Sequence, residues 1–430
     1  MKKVGLVSLG CHKNLVDSEN ILGLFDRNEY EITSDPSQAD VIVINTCGFI
    51  ENSKKESINN IFEMLNYHKK VVVTGCLSER YLETLKKEIP EVDLFIPIRE
   101  YKNFNKYLSL IDKDVDPNLG VDDDYRIVST GPFSAYLKIG EGCDNRCSYC
   151  AIPLIRGHFV SRPVDEILKE ANDLADSGIK EIIILEQDTT KYGIDLKENK
   201  KDIVGLLTEL LKIKQFDYIR LLYLYPDEIS DELIDLIANE PRLTSYFDIP
   251  IQHSEDHILK DMYRRGDKKF LKELFTKIRN KIPNAILRTT LMLGFPGETE
   301  EDVDNLIDFI KEIKFDHLGS FTYSREENTP SFDFPDQVEE ETKQKRMARV
   351  MKAQQKISYS LNKKHIGEVM EGLVVGKENN LYLLRSYWNA PDDVDGKIFV
   401  NSNIPLESGD KIKVKITDAF VYDLMGKKVN

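Results

Sequence analysis

The sequence predicts an α/β protein in three parts: an N-terminal domain with a parallel sheet covered by helices, a central partial (βα)6 barrel, and a C-terminal five-stranded OB-like β-barrel. Three observations carry this. Apolar, strand-like runs alternate with stretches of helical period up to about residue 112 and again from 133 to about 335, the pattern of repeated βα units. An acidic, irregular stretch separates the two series. Beyond residue 365 the helical period disappears, and short strands with turns follow. The domain limits are therefore 1–112, a linker at 113–132, then 133–362 and 363–430. A chain of 430 residues exceeds one ordinary core, and 41% hydrophobic with 31% charged residues is the balance of a soluble globular protein.

In the first part, strands are predicted at 3–8, 41–45 and 71–74, with helices at 15–25, 57–65 and 79–87. Cys11, Cys47 and Cys76 each fall just past the carboxyl end of a strand, the edge where open α/β sheets bind ligands. Their separations of 36 and 29 residues amount to one βα repeat each, which predicts three thiols gathered in space. Three separate buried cysteines acting as small hydrophobes are the alternative. Gly10, Gly48 and Gly75 beside them suit a backbone that must approach a ligand closely. His12 reads as a hydrogen-bonding loop residue, not a further ligand. Asp112–Pro117 and Asp122–Asp124 give the linker its acidic character.

In the barrel, strands are predicted at 135–139, 181–185, 218–224, 245–248, 285–293 and 317–322, with helices at 163–176, 202–212, 231–238, 268–281 and 299–313. Polar residues follow the strands: Glu186 to Thr190, Tyr225-Pro226, Gln252-His253, and Gly294 to Thr299. The last reads equally as a turn into a helix capped by Glu298 and Thr299. Gln252, His253 and Tyr323 to Glu327 fit contact with a ligand or with backbone. After the first strand comes a Gly-rich loop holding Cys143, Cys147 and Cys150 in a CxxxCxxC spacing. Three thiolates so close call for a metal. Structural zinc is closed by four ligands, whereas iron–sulfur clusters are held by cysteine thiolates, and no fourth ligand lies nearby in sequence. A four-iron cluster on three cysteines keeps one iron open to a reacting molecule. A zinc knuckle with a distant ligand and a plain buried turn remain alternatives.

A charged helix near 339–364 leads to the last part, and its basic run at 342–349 reads as a solvated face rather than an RNA contact. Strands follow at 367–375, 381–386, 396–400 and 411–420. Residues 365–430 carry ten acidic against eight basic side chains, where a nucleic-acid grip is basic. The aromatic-acidic loop Tyr387 to Asp393 suits a basic protein surface. The whole chain points the same way, with 74 acidic and 59 basic residues giving a net charge of −15. All six cysteines fall in the first 150 residues in no disulfide pattern, which implies a reducing cytoplasm. Met1 to Cys11 imitates a lipoprotein signal, but its apolar run is too short, and no run approaches the roughly 20 apolar residues of a membrane span.

The motifs SLGCHKNLVDSEN (8–20), NTCGFIENSKKES (45–57), VTGCLSERY (73–81), KIGEGCDNRCSYCAIPLIRG (138–157), EQDTTKYG (186–193), LYLYPDEI (222–229), DIPIQH (248–253), RTTLMLGFPGETEED (288–302) and FTYSREENTPSF (321–332) together resemble the methylthiotransferase family of radical S-adenosylmethionine (SAM) enzymes, over essentially the whole chain. Within it, NTCGFI, QDTT and the opening motif are similar to the branch acting on small-subunit ribosomal protein S-twelve; His12 stands where that branch usually has Pro. The resemblance implies two 4Fe-4S clusters, a radical SAM cluster on Cys143, Cys147 and Cys150 and an auxiliary one on Cys11, Cys47 and Cys76. It implies SAM used twice per turnover, as radical source and as methyl donor, with sulfur and methyl inserted at the β-carbon of an aspartate. Tyr149, Gln187, Asp188, Gly294 and Gly297 are the expected lining of the SAM pocket, with no acid or base assigned. The expected partners are ribosomal protein S-twelve, in or before the assembling subunit, and an external electron donor such as flavodoxin; neither a membrane nor a nucleic acid is required. The last barrel is expected to be a TRAM domain. The alternatives are a tRNA methylthiotransferase acting on the modified adenosine beside the anticodon and a non-enzymatic iron–sulfur electron carrier.

Overall fold

The structure, a computed structural model, describes residues 1–121, 125–197, 201–391 and 394–429. Asp122 to Asp124 of the linker and Asp392 and Asp393 of the aromatic-acidic loop lie outside them.

The first domain runs β1 (Lys3–Ser8), α1 (His12–Arg27), β2 (Glu31–Ile32), β3 (Val41–Thr46), α2 (Glu51–Leu65), β4 (Lys70–Gly75), α3 (Cys76–Glu88), β5 (Leu94–Ile96) and α4 (Phe104–Leu108). Its parallel sheet has the order β2-β1-β3-β4-β5. β3 and β4 are continuous Val/Ile runs because they are covered on both faces. The edge strands β2 and β5, two and three residues long, are too short to display a period and were not expected. The three main helices also begin earlier than expected, at His12, Glu51 and Cys76; the first turns of the first two are largely polar and show no apolar period. The stretch read as a linker is irregular but packed up to residue 121. Asp112 accepts hydrogen bonds from Lys2 and Tyr30, and Val115 and Val121 join the apolar core of the sheet domain.

The central domain comprises β6 (Ser134–Lys138), β7 (Gly140–Glu141), α5 (Ile152–Arg156), β8 (Val160–Ser161), α6 (Val164–Asp176), β9 (Glu181–Leu185), α7 (Ile203–Leu210), β10 (Tyr218–Leu221), α8 (Asp231–Asn239), β11 (Tyr246–Asp248), α9 (Asp256–Asp261), α10 (Lys268–Lys281), β12 (Ile286–Leu293), α11 (Glu300–Ile313) and β13 (His317–Thr322). Two parallel sheets, β10-β9-β6 and β11-β12-β13, are linked by a bridge between Ile219 and Leu243, so six strands form an open barrel. The β7–β8 hairpin and α9 were not anticipated. β10 ends at Leu221, short of the expected 224, and Tyr223 adopts φ 60°, outside the strand region.

α12 (Glu340–Asn362) then crosses the barrel. Its basic run is only partly a solvated face. Lys343 Nζ donates to the Tyr323 carbonyl at 2.9 Å, Arg346 pairs with Glu298 at 3.0 Å and Glu300 at 2.7 Å, and Arg349 pairs with Glu300 and Asp304. The last domain is a closed barrel of β14 (Val369–Glu378), β15 (Leu381–Ser386), β16 (Ile398–Asn401), β17 (Lys411–Ala419) and β18 (Leu424–Val429), in the order β14-β15-β16-β18-β17. It covers the inner face of the open barrel: Trp388, Met370 and Leu384 share one apolar cluster with Tyr136, Ile183 and Tyr246. Polar contacts fix the fit, with Arg385 on Glu181 at 2.6 Å and Tyr246 Oη donating to Asp395 at 2.7 Å.

Candidate active site

β1, β3 and β4 are neighbours, so the residues just beyond them share one sheet edge. Cys11 caps α1, Cys47 follows β3, and Cys76 opens α3. The backbone around them leaves no spare room. A Cβ on Gly10 would lie 2.8 Å from Cys47 Cβ, and one on Gly75, whose φ is 90°, would lie 2.3 Å from Asn45 Oδ1. Cys11 is exposed while Cys47 and Cys76 are buried. Burial pushes the Cys47 thiol up and the Cys76 thiol up to about 11, against the pull of Arg156 on Cys76. Cys76 Sγ lies 3.4 Å from Arg156 Nη2 and 3.4 Å from Asn14 Oδ1.

The second cysteine loop is tied down by its backbone. Cys143 N donates to the Gly157 carbonyl at 3.2 Å, Ser148 N to Met262 at 3.0 Å, and Ser148 Oγ to Asp261 at 2.6 Å. Burial raises the Cys143 thiol to about 11 and the Cys150 thiol further. Arg264 serves this loop: it lies 4.2 Å from the centre of the Tyr225 ring, 3.4 Å from Tyr149 Oη and 4.0 Å from Cys147 Sγ. Each triad therefore has a guanidinium against one of its sulfurs. Among the described residues no three His, Cys, Asp or Glu side chains converge closely enough to hold a single metal ion. Both loops offer thiolates alone, the donor set by which cysteines hold iron–sulfur clusters.

A buried ionic cluster joins the two loops. Asp17 of α1 accepts from Lys138 at 2.7 Å and Arg156 at 2.6 Å; Arg156 also reaches Glu141 at 3.0 Å and Asn14 Oδ1. Burial alone would raise Asp17, but Lys138 and Arg156 outweigh it and hold the carboxyl at about 2. Above this cluster, Lys13 Nζ lies 3.9 Å from the centre of the Tyr223 ring and donates to the Glu186 carbonyl at 3.3 Å. The Glu186 side chain is fully buried with both oxygens unpartnered, and burial, then Glu141, pushes its pKa well above the carboxylate range. His12 lies in α1, not in a loop, stacked on Tyr136 at 4.7 Å with its Nδ1 3.3 Å from Tyr223 Oη.

Of the residues expected to line a SAM pocket, three lie on the second loop or its supports. Gln187 donates to Glu141 at 3.2 Å, Asp188 accepts from Asn145 at 2.7 Å, and Tyr149 packs edge-on to Phe295. Gly294 instead meets α12: a Cβ there would sit 2.1 Å from Lys343 Cγ, and its N donates to both Glu298 oxygens at 2.9 Å. Gly297 donates to the Asp336 carbonyl at 3.0 Å and has open space beside it. Thr299 caps α11 in a capping box with Asp302, whereas Glu298 turns inward to Gly294 and Arg346 and does not cap. Gln252, at φ 70°, keeps an unpartnered Oε1, and buried His253 accepts from Glu255 N at 3.1 Å. Tyr323 Oη bonds Ser331, and Glu326 takes Arg80 at 2.7 Å and Lys54 at 3.1 Å, clamping the first domain to the barrel. Lys13, Asp17, Glu141, Arg156 and Arg264 were not singled out from sequence, and Glu186 only as one of the polar residues after its strand. All but Arg264 stand inside the quoted motifs, yet nothing local marks their charges as structural.

Three family models match the chain in succession: Uncharacterized protein family UPF0004 over residues 3–97, the Radical SAM superfamily over 137–310, and the TRAM domain over 366–429. Among solved structures, the radical SAM methyltransferase TsrM from Kitasatospora setae shares the fold at 13% identity, with TM-score 0.56 over 87% of this chain and 78% of that one. Among curated proteins, the ribosomal protein uS12 methylthiotransferase RimO of Caldicellulosiruptor saccharolyticus is 46% identical over 444 residues, covering all of both chains. The RimO of Alkaliphilus oremlandii is 46% identical over 99% of this chain and 98% of its own. With the three domains in this order and 46% identity along the whole length, the chain belongs to the family of those relatives, the RimO-type methylthiotransferases of the radical SAM superfamily.

Proposed function

We propose that this protein inserts a sulfur and a methyl group at the β-carbon of an aspartate in ribosomal protein uS12. What supports the reading most is the pair of cysteine triads lying across one domain junction and joined through Arg156, on a chain 46% identical to enzymes named for that reaction. Cys143, Cys147 and Cys150 would hold one 4Fe-4S cluster and Cys11, Cys47 and Cys76 a second. The donor set fits: thiolates only, a guanidinium beside each triad, and backbone at Gly10 and Gly75 with no room for a side chain. Bound there, the clusters and SAM supply one-electron cleavage of a sulfonium, hydrogen abstraction from an unactivated carbon, and a sulfur to insert.

The chain's own residues hold and shield. Arg156 and Arg264 balance the negative charge of the ligated thiolates, and Tyr149, Gln187 and Asp188, with Gly294 and Gly297, would line the site for SAM. Burial of Cys47, Cys76 and Cys147 keeps water and oxygen off the sulfurs. No acid or base need be assigned. SAM would be consumed twice per turnover, the electrons coming from an external one-electron donor such as flavodoxin. Six free cysteines fit a reducing cytoplasm. The substrate would be uS12 in or before the assembling subunit, with no nucleic-acid contact required.

Mass spectrometry tests this. Protein reconstituted without air and supplied with SAM and a reductant should convert a uS12 aspartate with a gain of SCH3 for H. Modification of tRNA with uS12 untouched would overturn the reading. A C11A/C47A/C76A variant should retain about half the iron and sulfide, still cleave SAM, and leave the peptide unmodified, as loss of one of two separately held clusters requires.

A further inference from the structure

Eight Lys and Arg residues are buried among those described: Lys13, Lys138, Arg156, Arg162, Arg220, Arg264, Lys343 and Arg346. Six of them sit within ion-pair distance of a carboxylate. The two others are Arg264 and Lys13. Arg264 is committed to the Pro250 carbonyl at 2.6 Å, to Tyr149 and to the Tyr225 ring. Lys13 keeps only a carbonyl at 3.3 Å and the Tyr223 ring. A buried ammonium so lightly compensated is costly unless something else pairs with it. The Glu186 carboxyl is near enough to act on Lys13 through its charge, but neither of its oxygens makes a hydrogen bond or an ion pair with it.

Position says what would. Lys13 is two residues from Cys11, in the first turn of α1, and its carbonyl partner closes the barrel strand β9. It therefore stands between the sheet edge bearing Cys11, Cys47 and Cys76 and the barrel mouth bearing Cys143. Cys11 is exposed and His12 half-buried, so the junction opens to solvent on this side. Under the proposed function, the carbon to be modified must lie between those two triads. In an aspartate side chain that carbon is bonded directly to the carboxylate. The charge must enter the junction with it, and a carboxylate taken out of water needs a cation.

We infer that Lys13 is the substrate-binding cation, pairing with the target aspartate's carboxylate and holding its β-carbon between the two cysteine triads. This rests on the uS12 reading of the site. The Tyr223 ring supports the ammonium from below through its π face, leaving the donors turned away from the ring for the substrate.

The test uses the cluster-loaded full chain with SAM, and two synthetic peptides of the uS12 loop, one carrying the target aspartate and one with asparagine in its place. Binding is read by fluorescence anisotropy. The wild type should prefer the aspartate peptide by about 100-fold, the scale of a desolvated charge pair losing one partner. K13M should bind both peptides equally weakly, and K13R should keep most of the preference. The ratio within one variant does not depend on how much of it is folded. Iron content and SAM cleavage without peptide should match the wild type in both variants. A K13M variant that retains the preference, or a wild type that modifies the peptide without showing one, overturns the inference. A wild type that leaves the peptide unmodified and methylthiolates tRNA overturns the uS12 reading itself.

Discussion

Asp17 carries two cations, with Lys138 and Arg156 both on its carboxylate and its own side chain nearly inaccessible. Removing one member of such a group leaves the others charged and buried, at a cost of about 3–5 kcal/mol. D17N is therefore expected to lower the denaturant midpoint of unfolding by an amount of that order. The carboxyl is held at about 2, below its unfolded value, so its contribution is complete above the unfolded pKa and fades as pH falls through the folded one. The difference in stability between wild type and D17N should hold at neutral pH and shrink between about pH 4 and pH 2. Gly75 offers a steric counterpart. G75A must place a methyl 2.3 Å from Asn45 Oδ1 at φ 90°, and should lower iron retention at the first triad while leaving the Cys143 loop loaded, checked by iron and sulfide content.

Between the elements, a second ionic group does a similar task at the rim. Arg80 of α3 and Lys54 of α2 meet Glu326 in the loop after β13, and Arg80 also holds the Gly48 and Glu327 carbonyls at 3.0 and 2.9 Å. E326A should lower the melting temperature and raise hydrogen exchange in α2 and in the loop after Thr322, the two sides of the clamp. The central strands and most helices were legible in sequence because they are long enough to show a period: β9 and β13 match the expected limits residue for residue. β2 and β5 were not, having two and three residues, and α9 was missed because it is a single short helix between two turns. The CxxxCxxC loop is legible from spacing alone, and the gathering of Cys11, Cys47 and Cys76 at one edge follows from counting βα repeats. The charged groups around them are a different matter. Arg156 and Asp17 are 139 residues apart, and sequence shows only that each is charged, not that they meet. The basic run of α12 misled for the same reason, since Arg346 and Arg349 find their acids on the preceding helix.

At the scale of the whole molecule, a net charge of −15 should draw a basic protein substrate from a distance. Its association rate is expected to fall as salt rises from about 50 to 300 mM, with the dissociation rate little changed, because screening acts on approach more than on the docked complex. Stopped-flow binding of uS12 would measure both. The C-terminal barrel is no detachable appendage, for its Trp388 is fully buried and its Asp395 lies 3.4 Å from Arg288 of β12. The ionic cluster on Asp17 reaches further still. Its four charged members come from α1, β6, the β7 hairpin and α5, so the two cysteine-bearing units have complementary halves of one lock. A chimaera that grafts the first domain of a distant relative onto this barrel would inherit both sets of cysteines and still fail to align them, unless residues matching Asp17 and Asn14 travelled with the graft.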